Sequence, residues 1–296
     1  MICNYFPEPS WLLFTPDLPS LLYYSHIPTI VLALLMGFFV FLNGRKILLN
    51  QLLFAITVCF SFWVFFSLIA WTNIRSDLIL STWVFFYTLS GLISILSIYF
   101  IHVFVSQKDI TASLKALLLT LILPLIILAP TNLNISGFDI SVCDAYKFEG
   151  GLYFGYAVFL SVLALLWVLF VSIRGYKTSA DDRRSQIAVM GMGMSFFLFT
   201  FFSITFLISY LTTAGVLGDS QLEMYGLFGM DIFAIVLAYL IVKFKAFKAK
   251  LLTAQALVIS LILLVGSLAF FETSRVGDVI VGITLHVSVD TSLYAV

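Results

Sequence analysis

Runs of about twenty apolar residues recur eight times along this chain, and nothing else in the sequence limits its fold so tightly. They fall near Leu21 to Leu42, Leu52 to Trp71, Leu78 to Val105, Leu114 to Pro130, Leu152 to Ile173, Ile187 to Leu211, Met224 to Val242 and Leu251 to Phe271. As a helix, each such run crosses the roughly 30 Å hydrocarbon core of a bilayer. Within lipid every backbone N–H and C=O must be satisfied by the protein itself, and a closed barrel would show shorter segments of alternating polarity. The expected fold is therefore all-α, a polytopic transmembrane helix bundle. It has a seven-helix core over residues 21–250 and an eighth helix over 251–271, preceded by an extracytoplasmic segment, 1–20, and followed by an atypical tail, 272–296. Composition agrees: 62% of the 296 residues are hydrophobic and only 10% charged, far from the mix of a soluble domain. The lipid bilayer is the first partner expected, and no nucleic acid is.

The basic residues give the orientation. With the N-terminus outside, the inner connections hold Arg45, Lys46, Lys108, Lys115, Arg174, Lys177, Arg183, Arg184, Lys243, Lys245, Lys248 and Lys250; only Arg75, Lys147 and Arg275 fall outside. That imbalance across short connections is a positive-inside signal. It predicts a multi-pass protein of the cell's inner (plasma) membrane. The start MICNYFPEPSW lacks a basic n-region, so no cleavable signal peptide is expected. Trp11, Trp71 and Trp83 are placed near the outer surface, where indole rings favour the headgroup zone, and Trp63 and Trp167 deeper, as packing residues.

Polar residues inside the apolar runs are the candidates for function. Asp231 stands about two turns in from the outer end of helix seven, where an ionisable group is costly unless paired or watered. It reads either as an interfacial carboxylate capping a neighbour or as a ligand- or proton-sensing group. Ser90, Ser94 and Ser97 line one stripe of helix three, as interhelical glue or as a pathway lining. His102 comes one turn before that helix's inner end, and reads as an interface histidine or a relay. Glycines in GLYFG, Gly151 to Gly155, and in MGMGM, Gly191 and Gly193, favour close approach, within the bundle or in a homodimer. Thr131 to Gly151 forms a long outer loop with Asp139, Asp144 and Glu149, either a lid or a solvated connector. Cys59 lies within helix two; Cys3 and Cys143 share the outer face, which leaves a disulfide between them open. No CxxC, HExxH or His/Cys cluster is present, so neither a metal nor a cofactor is expected.

Three stretches carry a resemblance. DDRRSQIAVMGMG (Asp181 to Gly193), VCDAYKFEGGLYFGY (Val142 to Tyr156) and AYLIVKFKAFKAKL (Ala238 to Leu251) together resemble the histidine kinase N-terminal seven-transmembrane region, a bacterial membrane sensor module. In that family helix six is entered from a charged inner loop ending in an Arg-x-Gln-like pattern, matched by Arg184, Ser185 and Gln186. Helix seven leaves as a tyrosine-containing apolar run followed by basic and aromatic residues, matched by Ala238, Tyr239, Lys243, Phe244, Lys245 and Phe247. The resemblance implies a sensory input module of a two-component system, passing a signal through helix packing to a cytoplasmic output domain or partner kinase. Lys243, Lys245, Lys248 and Lys250 would then hold the exit of helix seven at the anionic inner leaflet, each contributing about 1 kcal/mol.

The chain departs from that family after helix eight, where ETSRVGDVIVGITLHVSVDTSLYAV carries neither an acceptor-histidine motif nor an ATP-binding domain. Truncation before a kinase core is the expectation, with an orphan sensor as the alternative, and no enzyme activity is expected of these residues. A small-solute transporter or channel is the second class, resting on Asp231 and the serine stripe. An intramembrane enzyme is the third, and would need a catalytic set that one deeply placed aspartate and one histidine do not supply.

Overall fold

The computed structural model describes residues 20–73, 75–141, 145, 150–208, 210–211 and 221–244. Among them are seven α-helices: α1 (Ser20–Asn43), α2 (Leu48–Thr72), α3 (Ser76–Ser106), α4 (Ala112–Leu128), α5 (Gly151–Thr178), α6 (Asp181–Phe202) and α7 (Phe228–Phe244). A π-helical stretch, Ser203–Ile208, prolongs α6, and a 3-10 turn, Gln221–Leu227, leads into α7. Six segments are long and apolar enough to cross a membrane, and α4 is a shorter apolar helix. The protein is therefore a multi-pass membrane protein of all-helical fold, in contact with the bilayer. The N-terminal segment, the expected eighth helix, the tail, Cys3, Cys143, Asp144, Glu149, Lys245, Lys248 and Lys250 lie outside the described residues.

The order of packing is a closed ring. Neighbours run α1, α2, α3, α5, α6, α7 and back to α1, while α4 lies outside the ring against α3 and touches α5 only lightly. Only Leu118, Ile122 and Leu125 of α4 are buried, whereas Leu119, Leu123 and Ile127 are more than half exposed and face what would be lipid. The seven runs are thus not equivalent: six form the barrel of the bundle and one is an outrigger.

Polar side chains from its neighbours hold α4 in place. The last carbonyls of a helix lack an amide partner, and here Leu125 O accepts from Tyr153 Oη (2.7 Å) and Thr88 Oγ1 (3.0 Å). Tyr156 Oη donates to Leu121 O at 2.6 Å. The long loop is pinned in the same way. Fully buried Asn134 donates through Nδ2 to Ala129 O (2.9 Å) and Val84 O (3.2 Å), and its own carbonyl accepts from Gly150 N (2.8 Å). A Cβ at Gly150 would sit 1.6 Å from Leu133 O, so the return strand of the loop passes at a distance only glycine allows. The base of the loop is a structural tie.

Small residues set the spacing of the ring. A Cβ at Gly191 would meet Ser172 of α5 at 2.6 Å, and one at Gly193 would meet Val236 of α7 at 2.7 Å, so MGMGM admits a neighbour on each side. Gly151 and Gly155 meet nothing within 4 Å, so that pair takes no part in packing among the described residues. The ring is filled by aromatics. Phe233 of α7 stacks on Phe197, Phe60 of α2 meets both Phe197 and Phe201, and Trp63 meets Phe201 and Phe86. Phe202 and Phe206 carry the contact on to Phe154 of α5.

The sequence reading needs one correction at α6. Asp181 to Arg184 were expected in the inner loop, but they form the first turn of the helix. Acidic residues in a first turn face the unpaired amides and the positive end of the helix dipole, which stabilises an early start. Arg183 then stacks on Phe104 (4.6 Å) and donates to Phe104 O, while Arg184 donates to Tyr176 O (3.1 Å). The helix beginning is thereby tied to the ends of α3 and α5.

Candidate functional site

Three helices bring polar side chains into the apolar interior at the end of the bundle where α1 and α7 begin and α2 ends. On α1, Ser25, His26 and Thr29 are all at most 2% exposed, although the run LLYYSHIPTIVLALL is otherwise nearly all apolar. Opposite them stand Ser67 of α2 and Asp231 of α7, also buried. The positions follow from helical spacing: His26 and Thr29 are three residues apart, which places both on one side of α1.

His26 joins α1 to α2. Its Nδ1 lies 2.8 Å from Leu22 O, and a carbonyl can only accept, so Nδ1 carries the proton. Nε2 is then the lone-pair nitrogen and accepts from Ser67 Oγ at 3.1 Å. Ser25 Oγ donates to the same Leu22 carbonyl (3.1 Å) and sits 2.9 Å from Nδ1. A hydroxyl, an imidazole and an orienting acceptor in sequence are also the parts of a nucleophile and its base. Here the hydroxyl is 7% exposed and the ring 2%, so both are buried between α1 and α2.

Asp231 joins α7 to α1. Thr29 Oγ1 donates to Asp231 Oδ2 at 3.1 Å, and Oδ1 is buried with no hydrogen bond among the described residues. Asp231 sits in the first turn of α7, which continues directly from the 3-10 turn before Phe228. The expected depth of two turns holds only if that turn is counted. Interhelical hydrogen bonds of this kind contribute about 0.6 kcal/mol on average in membrane proteins, up to about 1.7. A carboxyl oxygen left without a partner costs more than that. The contact thus joins α1 to α7 while leaving one buried carboxyl oxygen unmatched among the described residues.

The other expected site residues are placed as follows. Ser90 Oγ donates to Phe86 O and Ser94 Oγ to Ser90 O, both at 2.9 Å, so those two hydroxyls are used within α3; Ser97 Oγ is buried without a partner among the described residues. All three lie in the ring interior, far along the chain and the helix from the His26 and Asp231 cluster. His102 is half-buried near the opposite end, and its Nε2 accepts from Trp167 Nε1 at 2.8 Å, so Trp167 is more than packing. Lys243 ends α7. The expectation of one deeply placed histidine also needs correction, since His26 is the buried one. His26 was legible in one respect: an ionisable residue inside an apolar run, two residues before a proline.

Among the described residues, cavities open between helices, two of them with distinct linings. One, of about 410 Å³, is lined by aromatic and aliphatic side chains of α5, the end of α6, the π-helical stretch and Tyr210 beyond it, among them Phe154, Phe202 and Phe206. The other, of about 680 Å³, lies between α3 and α5 and includes His102, Trp167 and Arg174. Among the described residues no group of three or more His, Cys, Asp or Glu side chains is arranged to hold a metal ion. No family model, curated protein or solved structure matches the chain.

Proposed function

We propose that this membrane bundle is the sensory input module of a signal-transducing receptor, of the kind the histidine kinase N-terminal seven-transmembrane region exemplifies. The observation that carries the reading is the Thr29–Asp231 contact. It is a polar clamp between the first helix and the seventh, with one carboxyl oxygen unmatched, on the helix whose far end runs into Lys243. A signal that supplies a partner to Asp231, or a proton, changes the balance between clamped and released α1. The rings of Phe233, Phe197 and Phe60 connect the same helix to α6 and α2, so a shift of α7 is felt across the bundle.

In this reading the core has seven helices followed by an eighth, the N-terminus is outside the inner membrane, and the signal leaves at the cytoplasmic end of α7 toward an output domain or partner kinase. A homodimer is part of the same reading. The test is a chimera in which the full chain is fused to a reporter kinase. Thr29→Val and Asp231→Asn should each change basal phosphorylation severalfold while membrane insertion stays normal. Equal output from both variants and the parent, with correctly inserted protein, would remove the clamp from the signalling route. Solute uptake by vesicles containing the purified chain would instead favour a transporter.

A further inference from the structure

The cavity between α3 and α5 has a chemistry that the clamp reading does not use. It lies at the end of the bundle where both helices finish: His102 is one turn before the end of α3 and Arg174 one turn before the end of α5. Leu163, Leu166 and Phe170 make the apolar wall, and Leu166 and Phe170 are about 60% exposed, facing what would be lipid. The volume of about 680 Å³ suits a headgroup with the upper part of a chain.

The polar groups sort into spent and unspent. Ser106 Oγ donates to His102 O (2.7 Å), and Thr178 Oγ1 to Arg174 O (3.0 Å), so both hydroxyls are taken up by the backbone. Trp167 Nε1 can only donate, which makes His102 Nε2 the lone-pair nitrogen. The ring proton therefore sits on Nδ1, which has no hydrogen bond to the protein among the described residues. The Arg174 guanidinium likewise has no ion pair or hydrogen bond there. Its neighbours differ. Arg183 is held by Phe104 and Gln186, and Arg184 by Tyr176 and Asp181. Among the described residues no carboxylate lines the cavity. One guanidinium and one imidazole N–H thus remain as donors, over an apolar wall, with nothing of opposite charge to answer them.

We infer that this cavity binds an anionic phospholipid of the adjoining leaflet, its phosphate received by Arg174 and His102 Nδ1 and its acyl chain lying along Leu163, Leu166 and Phe170. Basic clefts between membrane helices at a bilayer face recognise lipid headgroups by this combination of charge and apolar wall. Trp167 acts as a positioning residue, since its N–H fixes which imidazole nitrogen offers a proton.

The test compares the full chain with Arg174→Gln and Lys46→Gln by native mass spectrometry, using phosphatidylglycerol against phosphatidylcholine. Lys46 is exposed at the same end of the bundle but outside the cavity, so it reports diffuse attraction. The parent should retain phosphatidylglycerol preferentially. Arg174→Gln should lower that preference about fivefold, which is about 1 kcal/mol, and Lys46→Gln should leave it unchanged. A diazirine-bearing phosphatidylglycerol should label the α5 peptide from Leu163 to Phe170. Equal retention of the two lipids by the parent, an equal drop in both variants, or labelling elsewhere would each overturn the assignment. Displacement of the lipid by millimolar glycerol phosphate alone would also overturn it, in favour of a site for a free phosphate ester.

Discussion

Replacing Thr29 by valine tests the clamp most directly, because it deletes one hydroxyl and keeps the shape of the side chain. Among the described residues that hydroxyl gives the Asp231 carboxyl its one hydrogen bond, at 3.1 Å, and the other carboxyl oxygen has none. Losing the bond costs about 0.6–1.7 kcal/mol by the range for interhelical pairs in lipid. Leaving a buried acceptor unmatched costs about 1–3 kcal/mol. Both figures describe the same deletion, so they are not summed, and a destabilisation of about 1–2 kcal/mol is expected. Thr82→Val is the control: it is as buried, but its hydroxyl donates to Ile79 O of its own helix at 2.7 Å, and that carbonyl keeps its helical amide. It should cost no more than about 0.5 kcal/mol. Asp231→Leu has an unusual expected sign. Removing both carboxyl oxygens removes an unmatched one, so the variant should be neutral or more stable than the parent. The assay is reversible unfolding in mixed micelles, run as a double-mutant cycle over Thr29→Val and Asp231→Leu, with an expected coupling of about 1 kcal/mol. A coupling under about 0.3 kcal/mol, or equal losses in Thr29→Val and Thr82→Val, would refute the claim that this pair holds α1 to α7.

Other outcomes follow from the same geometry. Gly193→Ala, whose new methyl would meet Val236 at 2.7 Å, should lower thermal stability by about 1–3 kcal/mol. Gly155→Ala, with open space around it, should be neutral or slightly stabilising in the same melt because alanine favours helix. Asn134→Ala removes two donated bonds and should raise hydrogen exchange in residues 129–141 before it affects the ring helices. Asp109 accepts from Lys115 (2.5 Å) and Tyr99 (2.6 Å), and these two hold its carboxyl below the usual carboxylate range, Lys115 most strongly. A depressed pKa in the folded state stabilises above the unfolded value and is lost as pH falls through the folded one. Asp109→Asn should therefore differ slightly from the parent at neutral pH and converge with it below about pH 4, as read by melting temperature against pH.

What the sequence disclosed divides along a physical line. The spans of α1, α2, α3 and α5 were legible because lipid demands length and apolarity, and Leu52, Leu78 and Leu152 begin runs that meet both demands. The peripheral place of α4 was not legible. Core and lipid are equally apolar surroundings, so buried Leu118 and exposed Leu119 give no contrast for a pattern to show. Asp231 stood out alone, but its partner Thr29 lies 202 residues away, and a threonine in a membrane helix has no signature that separates it from the many that bond their own backbone. His26 carried a signal and His102 carried the same one. Only the fold shows that the first is sealed between α1 and α2 while the second opens on a cavity.

Apolar packing cannot by itself say which helix belongs where, since lipid tails compete for every contact on equal terms. Placement then falls to the groups lipid cannot serve, and these differ between α4 and α1. Tyr153, Tyr156 and Thr88 fasten α4 through its backbone carbonyls, a mode that depends on little of α4's own side-chain chemistry and that no protonation step can undo. One fastening of α1 is of the same kind, Asn50 Nδ2 of α2 donating to Val40 O at 2.8 Å, but two run through titratable side chains, His26 to Ser67 on one side and Asp231 to Thr29 on the other. A proton added at His26 Nε2 turns an acceptor into a donor, and Ser67 must then reverse its own bond. A proton added at Asp231 gives Thr29 a donor where it faced an acceptor. These two attachments of α1, like that of His102 to Trp167 between α3 and α5, can therefore change without any change in apolar contact, and they lie on α2 and on α7, the helix that closes with Lys243 and Phe244.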